Sequence, residues 1–227
     1  MAAVFTVAVC GYVLICMTFT AAGLLLTHVF GGVTRWDESV NRWFTMHRTT
    51  TENDWTRSST QLANTLGVLV VLVVAVAVAL IFRNRWGALV LGIALSLELL
   101  TFLTINFIVD RPRPNVVRLG SLPSTSSFPS GHTAATAALY GGLAMIINAH
   151  VRSRLAAGLV WLIAALLTVA VGVGRVYRGM HHPTDVLAGA LLGLAVLGVA
   201  VVAIHAGQIA VATRHQRQAS LQPAPTA

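Results

Sequence analysis

Most of the side chains with chemistry to offer fall in two short stretches. The first reads Asp110-Arg111-Pro112-Arg113-Pro114 and, after a gap, Phe128-Pro129-Ser130-Gly131-His132. The second runs Gly174-Arg175-Val176-Tyr177-Arg178-Gly179-Met180-His181-His182-Pro183-Thr184-Asp185. Arg113 and Arg175 carry planar guanidinium forks that match the oxygens of a phosphate. Ser130 and Gly131 stand where a loop enters a helix. Backbone N–H groups there can bind an anion, and glycine permits close approach. His132 follows at the helix start. His181 and Asp185 are four residues apart, a spacing that faces both the same way on a helical turn. A carboxylate held against one imidazole nitrogen fixes the tautomer and leaves the other nitrogen free to attack. Pro183 suits the first turn of the helix that follows.

Two histidines beside an anion cradle make a phosphoryl-transfer site in which arginines and amides, instead of Mg²⁺, carry the charge of the transferring group. One histidine attacks phosphorus and the other protonates the leaving oxygen. No His/Asp/Glu cluster has the ligand spacing of a two-metal site. Neither a metal nor another cofactor is expected.

The elements that must position these residues are membrane helices. Of the 227 residues, 56% are hydrophobic and only 10% charged, against about 25% charged in a soluble domain. Such a chain cannot cover a water-facing surface. It reads as an all-α fold, a six-span transmembrane helical bundle, with apolar runs at Ala2–Phe30, Leu62–Phe82, Ala88–Val109, Thr133–Asn148, Leu155–Val173 and Val186–His205. The fourth is short and rich in Ala and Gly, which predicts burial among the others. The first has no positive n-region and is long for a signal peptide, so it reads as an uncleaved span. Residues 1–213 form one membrane domain with the motifs within 106–185, and the polar tail 214–227 is expected to be disordered. Cys10 and Cys16 point to different faces of one helix and read as core thiols.

The net charge of +8 comes from 15 arginines and no lysine. They lie scattered between apolar runs, so nucleic acid is not the expected partner; the bilayer and a lipid are. Arg83 and Arg85, Arg152 and Arg154, and Arg214 and Arg217 share one side by parity with the N-terminus. The positive-inside rule makes that side cytoplasmic and puts both motif stretches outside, at a bacterial plasma membrane. In the first outer loop, Val33, Trp36, Val40 and Trp43 repeat at helical spacing, predicting an amphipathic helix that anchors at the interface. Glu98 reads as a buried acid within the third span. His182 and Arg178 read as rim residues, and His28, His150 and His205 as interfacial ones. Arg111 and Arg118 are candidates for head-group contact or support of the site.

Together these motifs resemble the type 2 phosphatidic acid phosphatase family, which includes lipid phosphate phosphatases and vanadium haloperoxidases. Its signature has three parts: K-x6-R-P, P-S-G-H and S-R-x5-H-x3-D. The second is intact at Pro129-Ser130-Gly131-His132. The third is matched at Arg175, His181 and Asp185, with Gly174 in place of Ser. The first is matched at Arg113-Pro114, with Asn106 at the Lys position. Asp185-Val186-Leu187-Ala188-Gly189 also resembles the family. The resemblance implies a metal-independent phosphatase that cleaves a phosphomonoester or diphosphate of a lipid. His181 would be the nucleophile that forms a phosphohistidine, Asp185 its orienting carboxylate, and His132 the acid and then the base. Arg113, Arg175, Ser130, Gly131 and, in place of the family Lys, Asn106 would hold phosphate. Arg111 or Arg118 would compensate for the missing Lys charge. A phosphotransferase with an alcohol acceptor, a phosphatase for a soluble ester and a silent lipid-phosphate binder are the alternatives.

Overall fold

The computed structural model describes residues 2–61, 65–121 and 125–220. Among them the chain is all helical: α1 (Ala2–His28), α2 (Gly31–Met46), α3 (Thr50–Gln61), α4 (Thr65–Ile81), α5 (Arg85–Val109), α6 (Gly131–Asn148), α7 (Arg154–Tyr177) and α8 (Pro183–Ser220). Within the described residues each expected apolar run lies on a helix; 62–64, the start of the second run, lie outside them. Four are long and apolar enough to cross a membrane, namely α1, α5, α7 and Pro183–Arg214 of α8. The apolar α4, at 17 residues, is shorter. The 18 residues of α6 include Gly, Ala and Thr, and most are buried against neighbouring helices. The expected count of six spans therefore appears as four helices of full span character. Of the two others, α4 is apolar but shorter, and α6 is held largely by burial against its neighbours. Of the tail expected from 214, the described part continues α8 to Ser220, with no proline or glycine to interrupt it before Pro223. Residues 221–227 lie outside the described residues.

The centre of the bundle is α8, which packs on α1, α5, α6 and α7. Its approach to α6 depends on glycine. A Cβ on Gly189 would overlap the Ser130 carbonyl, and one on Gly193 would overlap the Ala134 carbonyl. Four residues apart, the two glycines form a groove for the Ala-rich face of α6, the usual way membrane helices approach closely where hydrophobicity gives no drive between them. Large apolar side chains on the outer faces, such as Leu162 and Leu166 of α7, are exposed, as lipid-facing side chains should be.

α5 ends where Asp110 takes a left-handed conformation with φ 43°, a backbone state that Asp tolerates better than most residues. The C-terminal ends of α5 and α7 and the N-terminal ends of α6 and α8 meet at one end of the bundle. α2 and α3 cover that end. Trp36 and Trp43 of α2 are exposed while Asp37 and Asn41 are buried, so its apolar side faces outward and its polar side inward. α3 docks on α7, with Tyr177 Oη donating to Asn53 Oδ1 at 3.0 Å. Arg48, between α2 and α3, donates to the Tyr177 carbonyl at 2.8 Å and the Val117 carbonyl at 2.7 Å.

Candidate active site

The start of α8 places the acid. His182 caps the helix, its carbonyl accepting from Asp185 N at 3.1 Å and Val186 N at 3.2 Å. Asp185 reaches back to the His182 N–H at 2.8 Å. This is the reciprocal logic of a capping box, with Pro183 at the first helical position, where no N–H is needed. Asp185 is fully buried. Its Oδ1 accepts from Arg111, and its Oδ2 accepts from Ser127 Oγ.

His181 stands just outside the helix, so the expected face-to-face contact does not form. Its Nδ1 is 3.9 Å from Asp185 Oδ2, too far for a hydrogen bond. Nδ1 instead donates to the Ser127 carbonyl at 2.7 Å. A carbonyl only accepts, so the proton sits on Nδ1 and the lone pair on Nε2. The expected carboxylate contact is replaced by the Ser127 carbonyl, and Asp185 reaches this ring only through Ser127. Burial pushes the His181 imidazole well below its ordinary value; Arg175 and Arg113 add to this, and Asp185 opposes it. The ring is neutral at pH 7.

Arg113 approaches the same ring, its Nη1 donating to His181 Nε2 at 3.4 Å. It is held by the carbonyls of Met180, Thr125 and Ser126. Arg175 sits in the last turn of α7, where the helix dipole favours a cation. It is only 7% exposed, and its Nε has no hydrogen-bond partner among the described residues. His132, half-buried in the first turn of α6, feels the charges of both arginines. Ser130 caps α6; its N–H donates to the Asp185 carbonyl at 3.0 Å and its Oγ lies 3.0 Å from Thr133 Oγ1. Gly131 starts the helix against the Phe102 ring, which a Cβ would strike. His132, His181, Asp185, Arg113, Arg175, Ser130 and Gly131 are thus gathered at one end of the bundle, around a cationic centre.

Two expected contributors, Asn106 and Arg111, have other work. Asn106 does not face the cradle. Its Nδ2 donates to Ser126 O and Oγ at 3.0 Å and to Phe128 O at 3.2 Å, and its Oδ1 accepts from Ser126 N at 3.0 Å. The amide is consumed in fastening the loop before Pro129. Arg111, expected as a stand-in for the Lys charge, is 2% exposed and bridges two buried carboxylates, Asp185 and Asp37, with Asp37 Oδ2 at 2.8 Å. His182, expected at the rim, is buried, with Nδ1 3.1 Å from Asp185 Oδ2 and Nε2 3.3 Å from Glu38 Oε1. Arg118 donates to the Pro114 carbonyl at 3.0 Å, its Nε has no partner among the described residues, and its charge is felt at Arg113. Of the two arginines expected to compensate, it is the one not committed to a carboxylate.

Reasoning from sequence missed Ser127, Thr184 and Asp37. The first two lack any distinguishing pattern. Asp37 had one: with Asn41 it lies four residues apart on the side of α2 opposite its tryptophans, and an interfacial helix with its apolar side in lipid must turn its polar side to the protein. Among the described residues no group of three or more His, Cys, Asp or Glu is arranged to hold a metal.

A family model described as the PAP2 superfamily matches residues 85–208, which include every motif named above. Phosphatidylglycerophosphatase B of Bacillus subtilis (strain 168) is 30% identical over 159 residues, 70% of this chain and 78% of that protein. The crystal structure of the transmembrane PAP2 type phosphatidylglycerolphosphate phosphatase from Bacillus subtilis superposes with a TM-score of 0.74 at 27% identity, covering 82% of this chain and 92% of that one. Aquifex aeolicus LpxE shares the fold, with a TM-score of 0.59 at 24% identity over 72% of this chain and 93% of that one.

Proposed function

The chain belongs to the PAP2 superfamily, and from that premise we propose a membrane lipid phosphatase that works through a phosphohistidine. His181 Nε2 attacks phosphorus while His132 gives a proton to the leaving oxygen; the N–P bond forms as the P–O bond to the leaving group breaks. Water, losing its proton to His132, then attacks the phosphohistidine, releasing phosphate and restoring His181. Asp185 orients His181 through Ser127. Arg113, Arg175, Ser130 and Gly131 hold the phosphate oxygens, with Arg118 as an added cation.

One observation carries this reading: the buried Arg175 guanidinium, with Nε unpartnered among the described residues, beside a neutral imidazole whose Nε2 is unprotonated. A buried cation without an anion is unfavourable, and a phosphate would supply the anion at the point where the nucleophile waits. The substrate class is a lipid phosphomonoester or diphosphate. Phosphatidylglycerophosphate is the first candidate, because the 30% identical relative is named for that activity. No metal takes part. The protein crosses a bacterial plasma membrane six times, with α4 and α6 spanning beside the four longer helices. At 1.5 Å per residue, 17 and 18 residues reach about 26 and about 27 Å, close to a hydrocarbon core of about 30 Å. Arg83, Arg85, Arg152, Arg154 and Arg214 mark the cytoplasmic end. Both termini lie there and the site lies on the outer face.

Phosphate release from phosphatidylglycerophosphate, phosphatidic acid and polyprenyl diphosphate by purified protein tests the reading. Activity on at least one should survive EDTA, be inhibited by vanadate and vanish in His181→Ala. Release from none by folded protein, or activity that depends on added Mg²⁺ or Zn²⁺, would overturn it.

A further inference from the structure

The end of the bundle holds more carboxylates than the reaction above uses. Asp37, on α2, is fully buried. Its Oδ1 accepts from Thr184 N at 3.1 Å; its Oδ2 accepts from Thr184 Oγ1 at 2.6 Å and Arg111 Nη2 at 2.8 Å. The other nitrogen of that guanidinium, Nη1, goes to Thr184 Oγ1 at 2.8 Å and to Asp185 Oδ1. One buried cation is therefore shared by two buried carboxylates, and the trio carries a net negative charge.

We propose that Asp37 is a positioning residue for phosphoryl transfer: by taking one side of the Arg111 guanidinium it leaves the Asp185 carboxylate only partly neutralised toward the His181 ring. This rests on the reading of His181 as the nucleophile. When Nε2 bonds phosphorus, Nδ1 keeps its proton and the ring becomes cationic. The nearest carboxylate oxygen, Asp185 Oδ2, is 3.9 Å from Nδ1. It also accepts from Ser127, whose carbonyl holds the Nδ1 proton. An Asp185 paired one-to-one with Arg111 would present a neutral pair to that ring. An Asp185 that shares Arg111 with Asp37 presents a net negative one. The gain appears only as the ring becomes charged, so it favours the transition state over the bound substrate. The same α2 turns Trp36 and Trp43 outward, so the element that seats the chain at the membrane interface also supplies this charge.

The test uses the full-length protein in detergent, with kcat, KM and melting temperature measured for the wild type, Asp37→Asn, Asp37→Glu and His181→Ala. Asp37→Asn keeps the shape and removes the charge. It should lower kcat by about tenfold or more, equivalent to about 1.4 kcal/mol, with KM within about threefold of wild type. Asp37→Glu should recover most of that loss. A folded Asp37→Asn protein with wild-type kcat, a loss confined to KM, or an equal loss in Asp37→Glu would overturn the proposal. If Asp37→Asn does not fold, Thr184→Val decides. It removes a hydroxyl that Asp37 and Arg111 share but neither of their charges, so kcat should stay within about threefold; a tenfold fall would overturn the charge role. The His181→Ala arm is separate: activity remaining there overturns the nucleophile assignment, whatever the Asp37 variants do.

Discussion

Asn106 meets four polar groups of the loop before the anion cradle, accepting from one and donating to three. A lysine at this position has only donors. It would leave the Ser126 N–H without its acceptor and bring a charge into a site only 6% exposed. An orphaned buried group costs about 1–3 kcal/mol. Asn106→Lys should therefore lower the melting temperature and reduce phosphate release. Higher activity in that variant would show that the cradle lacks a cation after all. The second prediction at this scale concerns His181, whose burial, with Arg175 and Arg113 close by, disfavours the imidazolium. Disfavouring the charged form lowers the pKa, so the ring should stay neutral, with its proton on Nδ1, at pH 6, where a free imidazole is mostly protonated. Histidine-ring ¹⁵N spectra, assigned with His181→Gln, check this; a ring that titrates near 6.5 would contradict it.

Helix packing sets where the cradle sits. Gly189 and Gly193 let α8 come so near α6 that backbone meets backbone at the Ser130 and Ala134 carbonyls. Adding one methyl at either place forces the helices apart, at about 1–3 kcal/mol for an overpacked contact. The two sites should differ in what they break. Gly193→Ala lies a turn deeper and should mainly lower the melting temperature. Gly189→Ala displaces Ser130, whose N–H holds the Asp185 carbonyl at 3.0 Å, and should also cut kcat/KM by roughly tenfold, about 1.4 kcal/mol. Equal activity in both variants would show that the cradle tolerates this displacement. The α2 helix works at the same scale. Its tryptophans point away from the protein, so Asp37 and Asn41 point into it.

Across the whole molecule, the four helix ends that carry the motifs meet at one end, and the short links carrying Arg83 and Arg152 lie at the other. This polarity predicts an outcome in cells. In a background without Cys10 and Cys16, a Val117→Cys variant should react with an impermeant maleimide on intact cells. A Ser153→Cys variant should react only after lysis. Val117 is 71% exposed and Ser153 begins α7, so both sites are reachable on their own sides. The reverse pattern would turn the protein over in the membrane.

Local rules made much of this legible from sequence. Hydropathy marked every bundle helix, because a run of apolar side chains has no other stable place than lipid or a core. His182-Pro183-Thr184-Asp185 specified its own helix start, because a cap is built from neighbours in the chain. The order of motifs on helices of alternating direction puts His132, His181, Arg113 and Arg175 at one end. Only the tertiary structure decided which partner each polar group takes. His181 Nδ1 chooses the Ser127 carbonyl over Asp185; Arg111 binds two carboxylates; Asn106 fastens a loop; and Asp37 reaches Arg111 from 74 residues away. These pairings depend on distances of a few tenths of an ångström between segments remote in the chain. A hydrogen bond is lost over such distances, and hydrophobic periodicity carries no information about them.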